Sequence, residues 1–241
     1  LSGLDPFDQH GYDVRFEWGP NGLRRLAPGA RAVVIVDVLR FTTVVSVAVG
    51  RGVAVLPYRW HDDGATAFAA SHAARLDETI SPSAMAMSSR GDRVVVPSPN
   101  GSALSFGVRE RAPDAMVLAG CLRNAIAVGE AAIASDGDGH IAVIAAGERW
   151  RGGTGPLRPA LEDLLGSGAV IAAMEGVTPS PEATSAAHAF TAVAHDLGAT
   201  VLGCSSGREL VERGLRADVV LAADLDAERV APRLIGDAFV A

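Results

Sequence analysis

Along the chain, short apolar runs alternate with Ala-rich or amphipathic segments, and polar loops separate them. The densest run, Ala32-Val33-Val34-Ile35-Val36, contains no polar side chain. It reads as a strand buried on both faces, the pattern of a central strand in a parallel or mixed sheet. Asp37 ends it, Arg40, Thr42 and Thr43 follow, and Val44–Val49 supplies small apolar residues suited to a covered helix. Tyr12–Trp18 alternates apolar with charged positions, as a half-exposed strand near a sheet edge does. Further strands are predicted over Val53–Pro57, Arg93–Val96, Ala115–Ala119, Ile141–Ala145 and Asp218–Ala222, with a last short strand or turn at Thr200–Gly203. Helices are predicted over Ala65–Arg75, Ala103–Arg111, Ala125–Ala134, from Pro159 onward, and over Ala186–Leu197 and Arg208–Arg213. Thr79–Ser89 reads as a Ser/Met/Pro loop, and Asp224-Leu225-Asp226 leads into a short C-terminal segment. The β-α-β-α alternation implies an α/β fold with a parallel sheet and right-handed crossovers. With no internal repeat or linker, residues 1–241 read as a single domain.

Several loops share one character: strand end, polar tip, helix start. After Asp37, backbone N–H groups at a helix start attract negative charge and Arg40 adds a forked donor. An Asp there can hold Mg²⁺ or attack phosphorus. The same residues also suit a plain turn, with Asp37 as helix N-cap and Arg40 in solvent. Pro97–Ser102 presents polar groups where open α/β sheets place ligands, although Asn100-Gly101 is a strong turn signal by itself. Arg151-Gly152-Gly153-Thr154-Gly155-Pro156 reads as a phosphate cradle or a mobile lid. Glu162 and Asp163 fall in a first helical turn, where acids complement the helix dipole and at most one need face a common site. Gly203-Cys204-Ser205-Ser206-Gly207 matches G-x-S-x-G, but a nucleophile elbow needs a later histidine and the last is His195. An anion site or a cap fits that stretch better.

Composition narrows the chemistry. All 21 basic residues are Arg, so Schiff-base catalysis and a lysine-bearing P-loop are excluded, and any phosphate must be held by Arg, hydroxyls and backbone N–H groups. A net charge of −7 without a basic block argues against nucleic acid as a partner. An aromatic share of 5% means a core built from Ala, Val, Leu and Ile. The two cysteines form no CxxC pair, which suits a reducing cytoplasm and speaks against structural zinc. Leu1–Pro20 is polar, and Gly, Asp or Arg interrupts each apolar run before it could cross a membrane. A soluble, cytoplasmic protein without a membrane partner is expected.

The order and spacing of Val36–Thr43, Ser98–Ser102, Gly120–Asn124, Ala146–Arg149, Arg158–Asp163 and Ser206–Leu210 resemble the 2-phosphosulfolactate phosphatase family over most of the chain. Phe41 stands where that family usually has a small residue, a bulk expected to narrow or reshape the pocket. Thr79-Ile80 replaces the Gly-Asn of many relatives before a retained Ser81-Pro82. The resemblance implies a three-layer α/β/α sandwich around a mixed, largely parallel sheet. It also implies Mg²⁺-dependent hydrolysis of the phosphate monoester of a small 2-hydroxy acid, (R)-2-phospho-3-sulfolactate to (R)-3-sulfolactate and phosphate. It casts Asp37, Arg40 and Glu148 as catalytic. Asp37 with either Glu162 or Asp163 would be metal ligands, Glu148 being a further candidate. Thr42, Thr43, Asn100, Gly101, Ser102, Arg123 and Asn124 would bind the substrate. Attack would come from metal-bound water or from a carboxylate, Asp37 foremost. Cys121 lacks the C-x₅-R loop of cysteine phosphatases and reads as a buried thiol.

Three other readings stand beside this one. The first is a phosphatase of the same family acting on another phosphorylated hydroxy acid, and the second a catalytically silent binder of small anions. The third, a haloacid-dehalogenase-like enzyme, needs a second acid where Leu39 lies. The Ala- and Gly-rich helices also leave room for a homodimer.

Overall fold

The computed structural model describes residues 5–60, 62–150 and 155–241. In chain order, β1 (Val14–Trp18) and α1 (Gly19–Leu26) are followed by β2 (Ala30–Val36), α2 (Phe41–Gly50) and β3 (Ala54–Tyr58). Next come α3 (Gly64–Ser71), β4 (Arg75–Leu76), α4 (Pro82–Met85), β5 (Arg93–Pro97) and α5 (Gly101–Arg111). β6 (Met116–Gly120), α6 (Ala125–Ile133) and β7 (His140–Ala145) lead to a two-stranded ribbon, β8 (Glu148–Arg149) and β9 (Leu157–Arg158). Five helices follow: α7 (Leu161–Ala172), α8 (Pro181–Val193), α9 (Leu197–Gly203), α10 (Ser205–Glu212) and α11 (Arg216–Ala222). A hairpin, β10 (Arg233–Ile235) and β11 (Ala238–Val240), ends the chain.

The main sheet has the order β1-β7-β2-β6-β10-β11-β3-β5-β4. β2 is central to its half, as its apolar run requires, and β1 lies at the edge. Ala32, Val34 and Val36 of β2 pack toward α6, α7 and α8, while Val33 and Ile35 pack toward α1, α2 and α5. Period-two geometry sends alternate residues to opposite faces, so an unbroken Val/Ile run needs helices on both. This is the expected three-layer α/β/α sandwich around a mixed, largely parallel sheet.

The C-terminal segment has a larger part than its sequence suggests. β10 pairs antiparallel with β6, and β11 antiparallel with β3, so the hairpin joins two separately parallel half-sheets. Phe239 is fully buried and meets Phe41 edge-on, ring centroids 6.1 Å apart. Its three-residue strands are too short for a sequence pattern to announce them.

Other elements also depart from expectation. Thr200–Gly203 and Asp218–Ala222 lie in α9 and α11, not in strands. Leu197 and Val201, and Val219 and Ala222, are buried at helical spacings of four and three, and runs this short do not distinguish helix from strand. The helix expected to reach Arg75 stops at Ser71, and Arg75–Leu76 pairs with β5 instead. Helix α8 begins earlier than expected, at Pro181, because the Ser180 hydroxyl caps it by accepting from the Ala183 N–H. The Thr79–Ser89 loop holds the short α4, capped by Ser81. Of the glycine-rich loop, Arg151–Thr154 lie outside the described residues. Among the described residues no helix is long and apolar enough to cross a membrane.

Phe239→Ala is expected to lower stability by about 3–5 kcal/mol, the usual cost of emptying a buried aromatic site. The check is a urea unfolding curve: the midpoint falls while the slope is kept.

Candidate active site

Three of the predicted chemical loops meet beyond the C-terminal ends of β2, β5 and β7. Asp37 follows β2 directly and is only 6% exposed. Its Oδ2 accepts the Gly101 N–H at 2.8 Å, and its Oδ1 accepts the Phe41 N–H at 3.3 Å. Gly101 and Phe41 are the first residues of α5 and α2, so two helix starts turn toward one carboxylate. A Cβ at Gly101 would run into the Phe41 ring and come within 2.8 Å of Asp37 Oδ2, which is why glycine is needed there. Phe41 is 1% exposed: its bulk fills the space between Gly101 and Phe239, though its edge still borders the cleft.

The two threonines stiffen this loop from inside. Thr42 Oγ1 accepts the Asp37 N–H at 3.0 Å and donates to the Asp37 carbonyl at 2.8 Å. Thr43 Oγ1 donates to the Val38 carbonyl at 2.7 Å, and both threonines are fully buried. Their hydroxyls are therefore spent on shaping the Asp37 loop and do not reach the cleft.

Glu162 and Asp163 are both buried. Asp163 Oδ1 accepts the Val38 N–H at 2.7 Å and Oδ2 the Gly147 N–H at 2.9 Å, clamping the segments that leave β2 and β7. Glu162 is 3% exposed, and among the described residues its side chain accepts one hydrogen bond, to Oε2 from the Cys204 thiol at 3.4 Å. Burial and the Glu162 charge push the Cys204 thiol up to about 12, so it stays protonated and donates. Glu148, at the start of β8, accepts from Asn100 Nδ2 at 3.3 Å.

Burial raises the Asp37 carboxyl to about 6; the Gly101 and Phe41 amides oppose the rise, and the nearby charges of Glu148 and Glu162 add to it. Asp163 is raised well above the carboxylate range, first by burial and then by Glu162 and Asp37, against the Val38 and Gly147 amides. Among the described residues none of Asp37, Glu162 and Asp163 forms an ion pair.

Cations line the approach. Asp37, Arg40, Asn100, Glu148 and Arg213 border a cleft of about 180 Å³. A wider one of about 580 Å³ adjoins it through Glu148 and Glu209 and carries Arg149, Arg158 and Arg208. Arg158 Nη2 donates to Ser206 Oγ at 2.9 Å. Among the described residues, Arg149, Arg158, Arg208 and Arg213 form no ion pair. Sequence reasoning gave no role to Arg213 or Glu209; the signal available for Glu209 was the Ser206–Leu210 match, which carried the resemblance without an assignment, and Arg213 lies beyond it.

Three further predicted substrate residues, like the two threonines, lie apart from both clefts. Ser102 Oγ donates to the Val96 carbonyl at 3.0 Å. Asn124 accepts the Cys121 N–H at 2.9 Å and donates to the Ala119 carbonyl at 3.1 Å. Arg123 Nη1 donates to the Leu221 carbonyl at 2.8 Å and to Asp224 at 3.2 Å, with Glu228 at 3.5 Å from Nη2. Each is buried, and strand ends, α11 and the segment after it take up these groups, Arg123 Nε alone of the named atoms having no partner among the described residues.

The donor set can be weighed against a divalent cation. Among the described residues no three His, Cys, Asp or Glu side chains form a ready-made metal cage. Mg²⁺, however, is commonly held by one or two carboxylates, with waters and substrate phosphate completing its shell. Buried, unpaired, hard-oxygen carboxylates at Asp37 and Glu162 fit that demand. Asp163, like Asp37, holds a main-chain N–H on each oxygen, whereas among the described residues Glu162 holds none and is the freer of the two helix acids.

The raised Asp37 value has a stability consequence with a definite sign. A carboxyl whose folded pKa lies above its unfolded value contributes stability at low pH, and that contribution is lost as pH rises through the folded value. In metal-free buffer, the Tm of the wild type relative to Asp37→Asn should therefore fall as pH rises from 3.8 to about 6. A difference that is flat with pH would mean that Asp37 titrates like an exposed carboxylate.

No curated protein matches the chain significantly. The family model for 2-phosphosulpholactate phosphatase matches residues 23–236, nearly the whole chain and every loop that meets at Asp37. The chain therefore belongs to the 2-phosphosulpholactate phosphatase family, a family of phosphoric monoester hydrolases.

Proposed function

We propose that this phosphatase is Mg²⁺-dependent and hydrolyses the phosphate monoester of a small 2-hydroxy acid, (R)-2-phospho-3-sulfolactate, to (R)-3-sulfolactate and phosphate. The observation that carries the reading is the juxtaposition at one strand-end cleft of a buried, unpaired Asp37 with Arg40 and Arg213. Carboxylates suited to a cation beside guanidinium groups suited to an anion are what a metal-assisted phosphatase requires.

Asp37 and Glu162 would hold the metal, with Glu148 beside them. Bound Mg²⁺ would draw charge from the phosphoryl oxygens and acidify a water molecule. Both Asp37 oxygens are anchored by main-chain N–H groups, which favours a fixed ligand over a mobile nucleophile. Arg40 would donate its fork to the phosphoryl oxygens as the ester P–O bond breaks, where charge-assisted bonds count most. Glu148, which Asn100 holds at the cleft, would take the proton of the attacking water. Arg158 and Arg208 in the wider cleft suit the remaining acid groups of the substrate. A substrate with several negative charges also accounts for arginines left without ion pairs on a chain of net charge −7.

The test is phosphate release from (R)-2-phosphosulfolactate and a panel of small phosphomonoesters, with Mg²⁺ and with EDTA. Metal-dependent turnover of phosphosulfolactate is expected. Turnover of other esters alone would keep the phosphatase and change its substrate. Arg40→Lys should lower kcat/KM by about tenfold to a hundredfold, because an ammonium replaces one charge-assisted fork with a single point charge. Asp37→Asn should abolish turnover while circular dichroism shows the fold intact.

A further inference from the structure

Among the described residues, Arg40 differs from the other arginines of the two clefts in having a carboxylate anchor. Its Nη1 donates to Asp218 Oδ2 at 3.1 Å, and Asp218, in α11, is 1% exposed. The other carboxylate oxygen, Oδ1, accepts from Ser81 Oγ at 2.8 Å, from the Ser83 N–H at 3.1 Å and from the Ser83 hydroxyl. Burial alone would raise this carboxyl, but the donors from Ser83 and Ser81, together with Arg40, outweigh burial and hold it below the ordinary range. The result is an acid whose charged form is favoured, at a point where segments from opposite halves of the chain meet.

A guanidinium carries five donors in one rigid plane. Asp218 takes one, and among the described residues Arg40 makes no other side-chain hydrogen bond, so the rest of the fork is left at the cleft that Arg40 lines. Asp37 and Glu148 border the same cleft, and their negative charge would draw an unanchored guanidinium onto the carboxylates.

We infer that Asp218, seated by Ser81 and Ser83, is a positioning residue for Arg40: it holds the guanidinium off the acidic cluster with its free donors turned to an anion. The inference rests on the proposed phosphatase reading only for the identity of that anion.

The experiment is a double-mutant cycle on the full chain, Asp218→Asn with Arg40→Ala, read by titration with inorganic phosphate. Asp218→Asn should weaken phosphate binding about tenfold in the wild-type background and by less than about twofold when Arg40 is already Ala. Equal losses in the two backgrounds would overturn the inference, because Asp218 would then act on the fold and not through Arg40. A second readout does not depend on phosphate or turnover. In ¹⁵N-arginine-labelled protein the Arg40 Nη signals, assigned by their loss in Arg40→Lys, should be resolved through hindered rotation and should average in Asp218→Asn. Signals unchanged by Asp218→Asn would also overturn it. If no ester is cleaved but the Arg40 signals respond as expected, the phosphatase reading fails and the positioning role stands. Should Asp218→Asn not fold, Ser83→Ala loosens the same carboxylate and is expected to give the same Arg40-dependent pattern at smaller amplitude.

Discussion

The structure turns on one carboxylate and the two main-chain amides that hold it. By accepting from Gly101 and Phe41, Asp37 ties the end of β2 to the first residues of two different helices. Burying an acid in this way is unfavourable unless donors or a counter-charge compensate. The donors compensate in part, since Asp37 still rises to about 6. What they leave uncompensated is an affinity for positive charge at the mouth of the sheet. The surrounding features follow from keeping that arrangement rigid: the threonines locked onto the Asp37 loop, the glycine that lets α5 approach, and Asp163 clamping the neighbouring strand end.

The sheet serves the same arrangement from behind. Two parallel half-sheets would leave β6 and β3 as unpaired edges, and exposed edges are liabilities that folds cover. The C-terminal hairpin fills the gap antiparallel to both, and Phe239 packs on Phe41 at the start of α2. Thus the last strand of the chain buttresses the helix start that feeds an N–H to Asp37. Packing at the hairpin and chemistry at the cleft are one contiguous structure, since close-packed interiors transmit displacement.

Charge is arranged in layers on a chain that is acidic overall. Buried carboxylates lie innermost, anchored Arg40 and exposed Arg213 border the same cleft, and half-buried Arg158 and exposed Arg208 line the wider one. Burial explains the order. An acid in low dielectric keeps its influence on a cation, whereas exposed guanidinium groups are screened by solvent and act mainly in drawing anions inward.

By itself, the sequence determined the α/β alternation, the two-faced burial of Ala32–Val36 and the loops around Asp37, Asn100 and Glu148. These depend on local periodicity and on residue types at strand ends, both of which a sequence displays directly. It also carried the family resemblance, because ordered motifs persist where their contacts do not show. It did not separate the roles of polar residues. Thr42, Thr43, Ser102, Arg123 and Asn124 look like ligand-binding groups in one dimension, yet each turns donors to the main chain, and Arg123 also to acids distant in sequence. Asp218 shows the converse: in sequence it opens an apparent strand, and only α11 packing against α4 brings it to Arg40, 178 residues away. Whether a polar atom is free or already satisfied depends on long-range partners, and tertiary structure alone decides that.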